Sequence, residues 1–199
     1  GAYGSPDDPL AKRITTIGRP FNGVKSRMIH PETGEVMPSG EKGLIEISGP
    51  TVFKGYLNDP IKTKETISSD GWLSTGDFGS LSEDGFISYH GRLKDMLKVG
   101  GENVAALEIE SFYNNHEGVM ISQVIGVDDE RLGEVPALFI EKKDGVTITA
   151  EELIDSAKGK ISNFKIPRYV VFVKDWPMSS TKVQKFKLKE YDLGKKVFG

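Results

Sequence analysis

The stretch from Gly91 to Val104 reads Gly-Arg-Leu-Lys-Asp-Met-Leu-Lys-Val-Gly-Gly-Glu-Asn-Val, and it limits the folds open to this chain more than any other. Its strongly apolar positions ahead of the paired glycines are Leu93, Met96, Leu97 and Val99. An amphipathic helix of that length would need more, and Gly100 and Gly101 would each weaken it by about 1 kcal/mol relative to Ala. A short strand or turn, a tight glycine bend and a helix from about Ala105 are therefore expected. The composition also changes character at Gly91–Lys94. We place a domain boundary there, with residues 1–91 before it and residues 92–199 after it. Taken alone, the stretch reads first as a charged surface loop.

Upstream of the boundary, short apolar runs are punctuated by Gly and Pro. Gly1–Ile17 has turn chemistry in Gly-Ser-Pro-Asp-Asp-Pro and little to bury, so it reads as loop. Val24–His30 and Leu44–Ser48 read as strands, separated by the polar turn Pro31–Glu35 and stopped at Gly49-Pro50. Ile61–Ile67 is a short helix candidate. Asp70-Gly71 and Asp84-Gly85 flank Trp72–Ser82, and Phe86–His90 is a further strand. Such a pattern predicts a small β-barrel-like or sandwich subdomain.

Downstream the pattern interleaves helices with strands. Leu107, Ile109, Phe112 and Tyr113 fall on a helical period. Val119–Val127 and Val135–Glu141 read as strands joined by Asp128-Asp129-Glu130. Thr149 is a plausible N-cap, with Glu151 and Glu152 in the first turn of a helix reaching about Ile161. Tyr169–Val173 is a β-branched strand and Gln184–Leu193 a final short helix. The chain as a whole is α+β, with a compact α+β unit after residue 91.

Composition removes several classes of function. There is no cysteine, so disulfides, thiolate catalysis and Cys-based metal sites are excluded. His30, His90 and His116 are too scattered for a metal centre, and none is expected. The formal net charge of −3 gives no bulk attraction to nucleic acid. No apolar run approaches the ~20 residues of a membrane span, and no signal peptide opens the chain. A cytoplasmic location is the resulting expectation. Charge is nevertheless uneven: Ser180–Gly199 carries six Lys against Glu190 and Asp192, a surface able to face a phosphate-bearing ligand.

Three stretches occur in order: Trp72-Leu73-Ser74-Thr75-Gly76-Asp77, then Gly91–Val104, then Pro177-Met178-Ser179-Ser180-Thr181-Lys182-Val183-Gln184-Lys185. Together they resemble the adenylate-forming superfamily of acyl-CoA synthetases, luciferases and peptide-synthetase adenylation domains. The resemblance covers nearly the whole chain. It implies the C-terminal part of such an enzyme: the last β-rich subdomain of the AMP-binding domain, then a mobile C-terminal domain. The implied reaction activates a carboxylic acid, fatty or otherwise organic, with ATP and Mg2+ to acyl-AMP, then transfers the acyl group to CoA. The ATP-phosphate loop, adenine loop and acyl pocket of the family would lie in a missing N-terminal part. These residues alone are therefore expected to be inactive. A peptide-synthetase adenylation domain and a non-catalytic nucleotide- or CoA-binding module are the alternatives.

Residue roles follow from the same resemblance. Asp77 would accept hydrogen bonds from the ribose hydroxyls of ATP or AMP, a task suited to a carboxylate with two acceptor oxygens. Arg92 would reach the ribose or the neighbouring phosphate. Lys94 matches the hinge about which the C-terminal domain turns between half-reactions. Lys98 falls where some relatives place a second phosphate-contacting Lys, and it also fits a plain surface Lys. Gly100 and Gly101 match the loop lining the pantetheine channel, where missing side chains allow close approach. Lys182 would be the catalytic ammonium that stabilises charge on the α-phosphate. Thr181 stands where the family usually has Gly, and Pro177 is one residue closer than usual, which keeps Lys185 as the alternative.

Overall fold

The computed structural model describes residues 1–198 and forms two compact units, Gly1–Lys94 and a second from Asp95 onward. The first holds β1 (Ala2–Tyr3), α1 (Leu10–Thr15), β2 (Arg19–Pro20), β3 (Lys25–Ile29), β4 (Lys42–Ser48), α2 (Pro60–Thr66), β5 (Leu73–Leu81) and β6 (Ile87–Arg92). Strands β3, β4, β5 and β6 pair antiparallel in chain order, an up-and-down meander. Alternation along the strands buries Met28, Ile45 and Ile87 on one face, with Met37, Ile47 and Leu81 packed around them.

The expected barrel does not close. β3 and β6 are the two edges of an open four-stranded sheet. Ile87 of β6 pairs with Leu81 on one side, and on the other donates to Gly18 O (2.9 Å) and accepts from Ile17 N (2.8 Å). The N-terminal segment thus covers the edge that barrel closure would need. That segment is not simply loop, because it contains β1 and α1. Helix α1 buries none of its residues, so no apolar stripe announced it. Arg92, placed at the start of the second domain from sequence, is the last residue of β6.

The second unit holds β7 (Met96–Val99), β8 (Glu102–Ala105), α3 (Ala106–Asn114), β9 (Val119–Asp129), β10 (Gly133–Lys142), α4 (Ala150–Ala157) and β11 (Tyr169–Phe172). Strand β10 is the centre: it pairs antiparallel with β9, parallel with β11, and at Gly133 with Val99 of β7. Val135 through Ile140 are buried without a break, because both faces of this strand are covered. Leu138 and Ile140 face Ile109, Tyr113, Leu153 and Ile154 from α3 and α4. Ala137 and Phe139 face Val173, Trp176, Leu188 and Tyr191 from the C-terminal segment.

Helix α3 buries Ala106, Ile109, Glu110 and Tyr113, an i, i+3, i+4, i+7 stripe. Leu107, read from sequence as part of that stripe, points outward at 37% exposure. The expected cap of α4 is present as a full capping box. Thr149 Oγ1 accepts from Glu152 N at 3.2 Å, and Glu152 Oε2 accepts from Thr149 N at 2.8 Å. The helix stops at Ala157, short of the expected Ile161, because Lys158 leaves helical geometry (ψ 128°) and Gly159 follows at φ +72°. Thr149→Ala is expected to cost about 1 kcal/mol, read as a lower urea midpoint of the second unit. An unchanged midpoint would show that the box contributes nothing. The expected last helix is a 3-10 turn over Lys185–Glu190, with Leu188 as its one buried residue.

Candidate functional site

In the first unit the structure brings Asp77 and Arg92 together. They are direct cross-strand partners on β5 and β6, and Arg92 Nε donates to Asp77 Oδ1 at 3.0 Å. The chain reaches Asp77 through Gly76, whose φ of +72° a side chain would resist, and the register shifts just beyond, between Phe78 and Gly79. Thr75 Oγ1 donates to Ile45 O (2.9 Å) and accepts from Asp77 N (3.1 Å), which fixes the backbone under the carboxylate. Side-chain exposures of 34% for Asp77 and 49% for Arg92 leave both groups open to a ligand. Such an exposed pair adds little stability. Its value is presentation: a carboxylate held in one orientation beside a guanidinium.

Lys94 sits in the 3-10 turn Leu93–Asp95 and ends the first unit. In the second unit, Lys98, Gly100 and Gly101 lie on one hairpin. Val99 pairs with Glu102 and Lys98 with Asn103. Gly100 and Gly101 have φ of +60° and +89°, so the connection is a two-residue turn of the mirror-image type, which Gly enters at no steric cost. The hairpin itself therefore favours this glycine pair. A Cβ on Gly101 would meet nothing within 4 Å, so no neighbour in its own unit claims that face. Gly100 N donates to Leu132 O (2.8 Å) and Lys98 N to Glu134 Oε2 (2.7 Å), tying the hairpin to the start of β10. Strand β8 was not foreseen, since Glu102-Asn103 carries no strand signal and pairing alone makes it one.

Lys182 follows a two-residue turn, Ser180-Thr181. Met178 bridges Val183, Ser179 N donates to Lys182 O (2.8 Å), and Gln184 N donates to Pro177 O (2.7 Å). The Ser179 hydroxyl adds a staple, donating to Lys182 O at 3.0 Å and accepting from Lys182 N at 3.3 Å. Among the described non-glycine residues only Asn58 has positive φ, so Thr181 occupies its place without strain and this turn has no need of glycine there. Lys182 is exposed, and its ammonium makes no hydrogen bond or ion pair among the described residues. Lys185 differs sharply: its Nζ lies 2.5 Å from Glu110 Oε1, a carboxylate whose side chain is 7% exposed. An ammonium so engaged is poorly placed to meet a ligand.

Two contributors escaped sequence reading. Glu110 lies inside the apolar stripe of α3, and a lone carboxylate at such a position is the signal that could have exposed it. Asp129 is the other. It accepts from Lys196 Nζ (2.7 Å) and from the backbone of Arg131 and Leu132 (both 3.1 Å), fixing the turn that holds Gly100. The Lys196 ammonium, aided by those amides, holds the Asp129 carboxyl down to about 2. A lowered folded-state pKa makes this contribution complete above the unfolded value of ~3.9, and it is lost as pH falls through the folded one. Asp129→Asn should therefore flatten the fall in urea midpoint between about pH 4 and pH 2. A fall as steep as in the parent would remove Asp129 from the account.

Among the described residues no cluster of three or more His, Cys, Asp or Glu could hold a metal ion. No helix among them is long and apolar enough to cross a membrane.

Residues 2–57 match the model of the AMP-binding enzyme family, and residues 108–183, which include Lys182, match that of the AMP-binding enzyme C-terminal domain. Asp77, Arg92, Lys94, Lys98, Gly100 and Gly101 lie between the two matches. The chain is 44% identical over 186 residues to the mitochondrial medium-chain acyl-CoA ligase ACSF2 of Rattus norvegicus, covering 93% of this chain and 30% of that protein. Among solved structures, ATP-bound MatB from Rhodopseudomonas palustris matches with a TM-score of 0.83 at 40% identity, over 88% of this chain and 35% of that one. The o-succinylbenzoate CoA synthetase MenE of Bacillus subtilis, in complex with its acyl-adenylate OSB-AMP, matches at 0.84 and 29% identity, over 93% and 37%. The chain thus spans about a third of the length of these relatives. With both matches in their expected order, one on each unit, the chain belongs to the AMP-binding enzyme family.

Proposed function

We propose that this chain is the C-terminal part of an ATP-dependent acid–thiol ligase, an acyl-CoA synthetase. The whole enzyme activates a carboxylic acid as acyl-AMP with release of pyrophosphate, then passes the acyl group to the thiol of CoA. The observation that carries the reading is Lys182: an exposed ammonium, without a partner among the described residues, on a turn whose backbone is closed by its own hydrogen bonds. As the carboxylate attacks the α-phosphate, charge shifts onto the phosphoryl and bridging oxygens, and a fixed cation stabilises it. Asp77 offers the ribose hydroxyls its acceptor oxygens, and Arg92, already oriented by Asp77, reaches toward the same ribose or phosphate. Mg2+ would travel on the phosphates of ATP. Lys98 would be a second phosphate-contacting Lys, the Gly100-Gly101 turn would line the pantetheine channel in the CoA half-reaction, and Lys94 is the hinge between the two steps.

The similarity to relatives named for medium-chain acyl-CoA and for ATP and acyl-adenylate complexes supports an aliphatic or other small organic acid as substrate. The test supplies the whole protein with ATP, Mg2+, CoA and hexanoate, octanoate or decanoate in turn, with acyl-CoA followed by mass spectrometry. Acyl-CoA with at least one acid is the expected result. Acyl-AMP that never reaches CoA, yet loads the thiol of a carrier protein, would move the enzyme to the peptide-synthetase class. No acyl-AMP with any acid would overturn the reading.

A further inference from the structure

Most ion pairs among the described residues are solvent-exposed on at least one side, but the one just beyond Lys182 is shielded on both and holds the more buried carboxylate of the two so shielded. Glu110 Oε1 accepts from Lys185 Nζ at 2.5 Å and from Val124 N at 2.8 Å, and the side chains are 7% and 22% exposed. Glu110 is held from a second direction, because its carbonyl accepts from Ser122 Oγ at 3.0 Å and Ser122 is tied in turn to Asn114. The carboxylate is thereby fixed to both α3 and β9. Lys185 reaches it from the first residue of the 3-10 turn, whose Leu188 is fully buried. One residue earlier, Gln184 N closes the Lys182 loop on Pro177 O at 2.7 Å. The loop therefore has a staple at its tip, Ser179, and an anchor at its base, Lys185.

We propose that Glu110 and Lys185 are positioning residues for adenylation: their buried ion pair anchors the turn that presents Lys182. The proposal rests on the role given to Lys182 above. An ammonium at the end of a flexible stem stabilises developing charge only where its backbone is held, and small misplacements are costly in rate. The pair supplies that hold without touching the ligand. It also explains two lysines three residues apart with opposite fates, one spent on the fold and one kept for chemistry.

The test has two readouts. In the 199-residue chain itself, hydrogen exchange is compared between the parent and Lys185→Met, which keeps the apolar stem and removes the ammonium. The amides of Ser179 and Gln184 are expected to exchange about tenfold faster or more, with Leu138 to Ile140 unchanged. In the whole enzyme, Glu110→Gln keeps an acceptor for Val124 N, so the fold is spared while the charge is lost. Both variants are expected to lower kcat for acyl-adenylate formation about tenfold, with KM for ATP unchanged and thioester formation from supplied acyl-adenylate intact. Lys185→Arg should restore most of the rate. Unaltered exchange at Ser179 and Gln184 would overturn the anchoring. Faster exchange with both half-reactions lowered equally would reduce the pair to a structural role and overturn the proposal. If Lys182→Ala adenylates at the parental rate, the assignment of Lys182 falls instead, whatever the exchange shows.

Discussion

Lys182→Ala in the whole enzyme is expected to lower acyl-adenylate formation about a hundred- to a thousandfold, the usual loss when one preorganised charge-stabilising group is removed. Thioester formation from supplied acyl-adenylate should be nearly unaffected, because the thiol attacks the acyl carbon and AMP leaves with every bond to its phosphorus intact, so no pentavalent phosphorus has to be stabilised in that step. The fold should also be unaffected, since the Lys182 side chain holds no partner among the described residues. Its hydrogen bonds to Ser179 run through backbone atoms that Ala retains. The split between half-reactions is what separates chemistry from stability. Equal loss of both steps, or a lowered unfolding midpoint, would contradict the assignment. Adenylation that survives Lys182→Ala and is abolished in Lys185→Met would move the catalytic role three residues along the chain.

Phe139→Ala should be the most damaging core substitution, at about 3–5 kcal/mol. Phe139 is fully buried at the middle of β10, where Ile125, Val173 and Leu188 enclose it, and its ring stands edge-on to Tyr191 at 5.8 Å. Neighbouring strands on both sides prevent β10 from collapsing into the void, so the cavity term is not relieved by relaxation. Urea unfolding followed by Trp176 fluorescence, in a Trp72→Phe background, reports on the same cluster. A loss below about 1 kcal/mol would mean that the C-terminal segment does not pack on this face.

The legible parts of the fold were those where one physical rule dominates. The apolar run Val135–Glu141 reads as a strand from sequence, and it forms the middle of β10. Thr149 followed by Glu151 and Glu152 marked an N-cap and an acidic first turn, and the structure adds the reciprocal Glu152 bond that makes it a capping box. The illegible parts were those settled by pairing at a distance. Glu102-Asn103 becomes a strand because Gly100-Gly101 folds it back on Lys98 and Val99. The first sheet stays open because Ile17 and Gly18 take the free edge of Ile87, a contact across most of the unit that no local pattern encodes. Helix α1 had no buried face to reveal it.

The candidate site divides in the same way. Asp77, Arg92 and Lys182 were reached through motif resemblance, and the structure adds the geometry that motif reading lacks: a cross-strand pair for the first two and a closed turn for the third. Gly100 and Gly101 have a structural cause, the mirror-image turn, that resemblance alone did not supply. Lys182 and Lys185 are chemically identical in sequence. Motif resemblance ranked Lys182 first, and the position of Glu110, seventy-five residues upstream of Lys185, adds the physical distinction between them.

The central claim is that these residues serve carboxylate activation by ATP. Pyrophosphate release from ATP, measured with and without a panel of carboxylic acids, on the whole protein and on this chain alone, tests it most directly. The account predicts acid-dependent release by the whole protein and none by the 199-residue chain. Absence of acid-dependent release from the whole protein would contradict it and leave a module that binds nucleotide or CoA without turning either over.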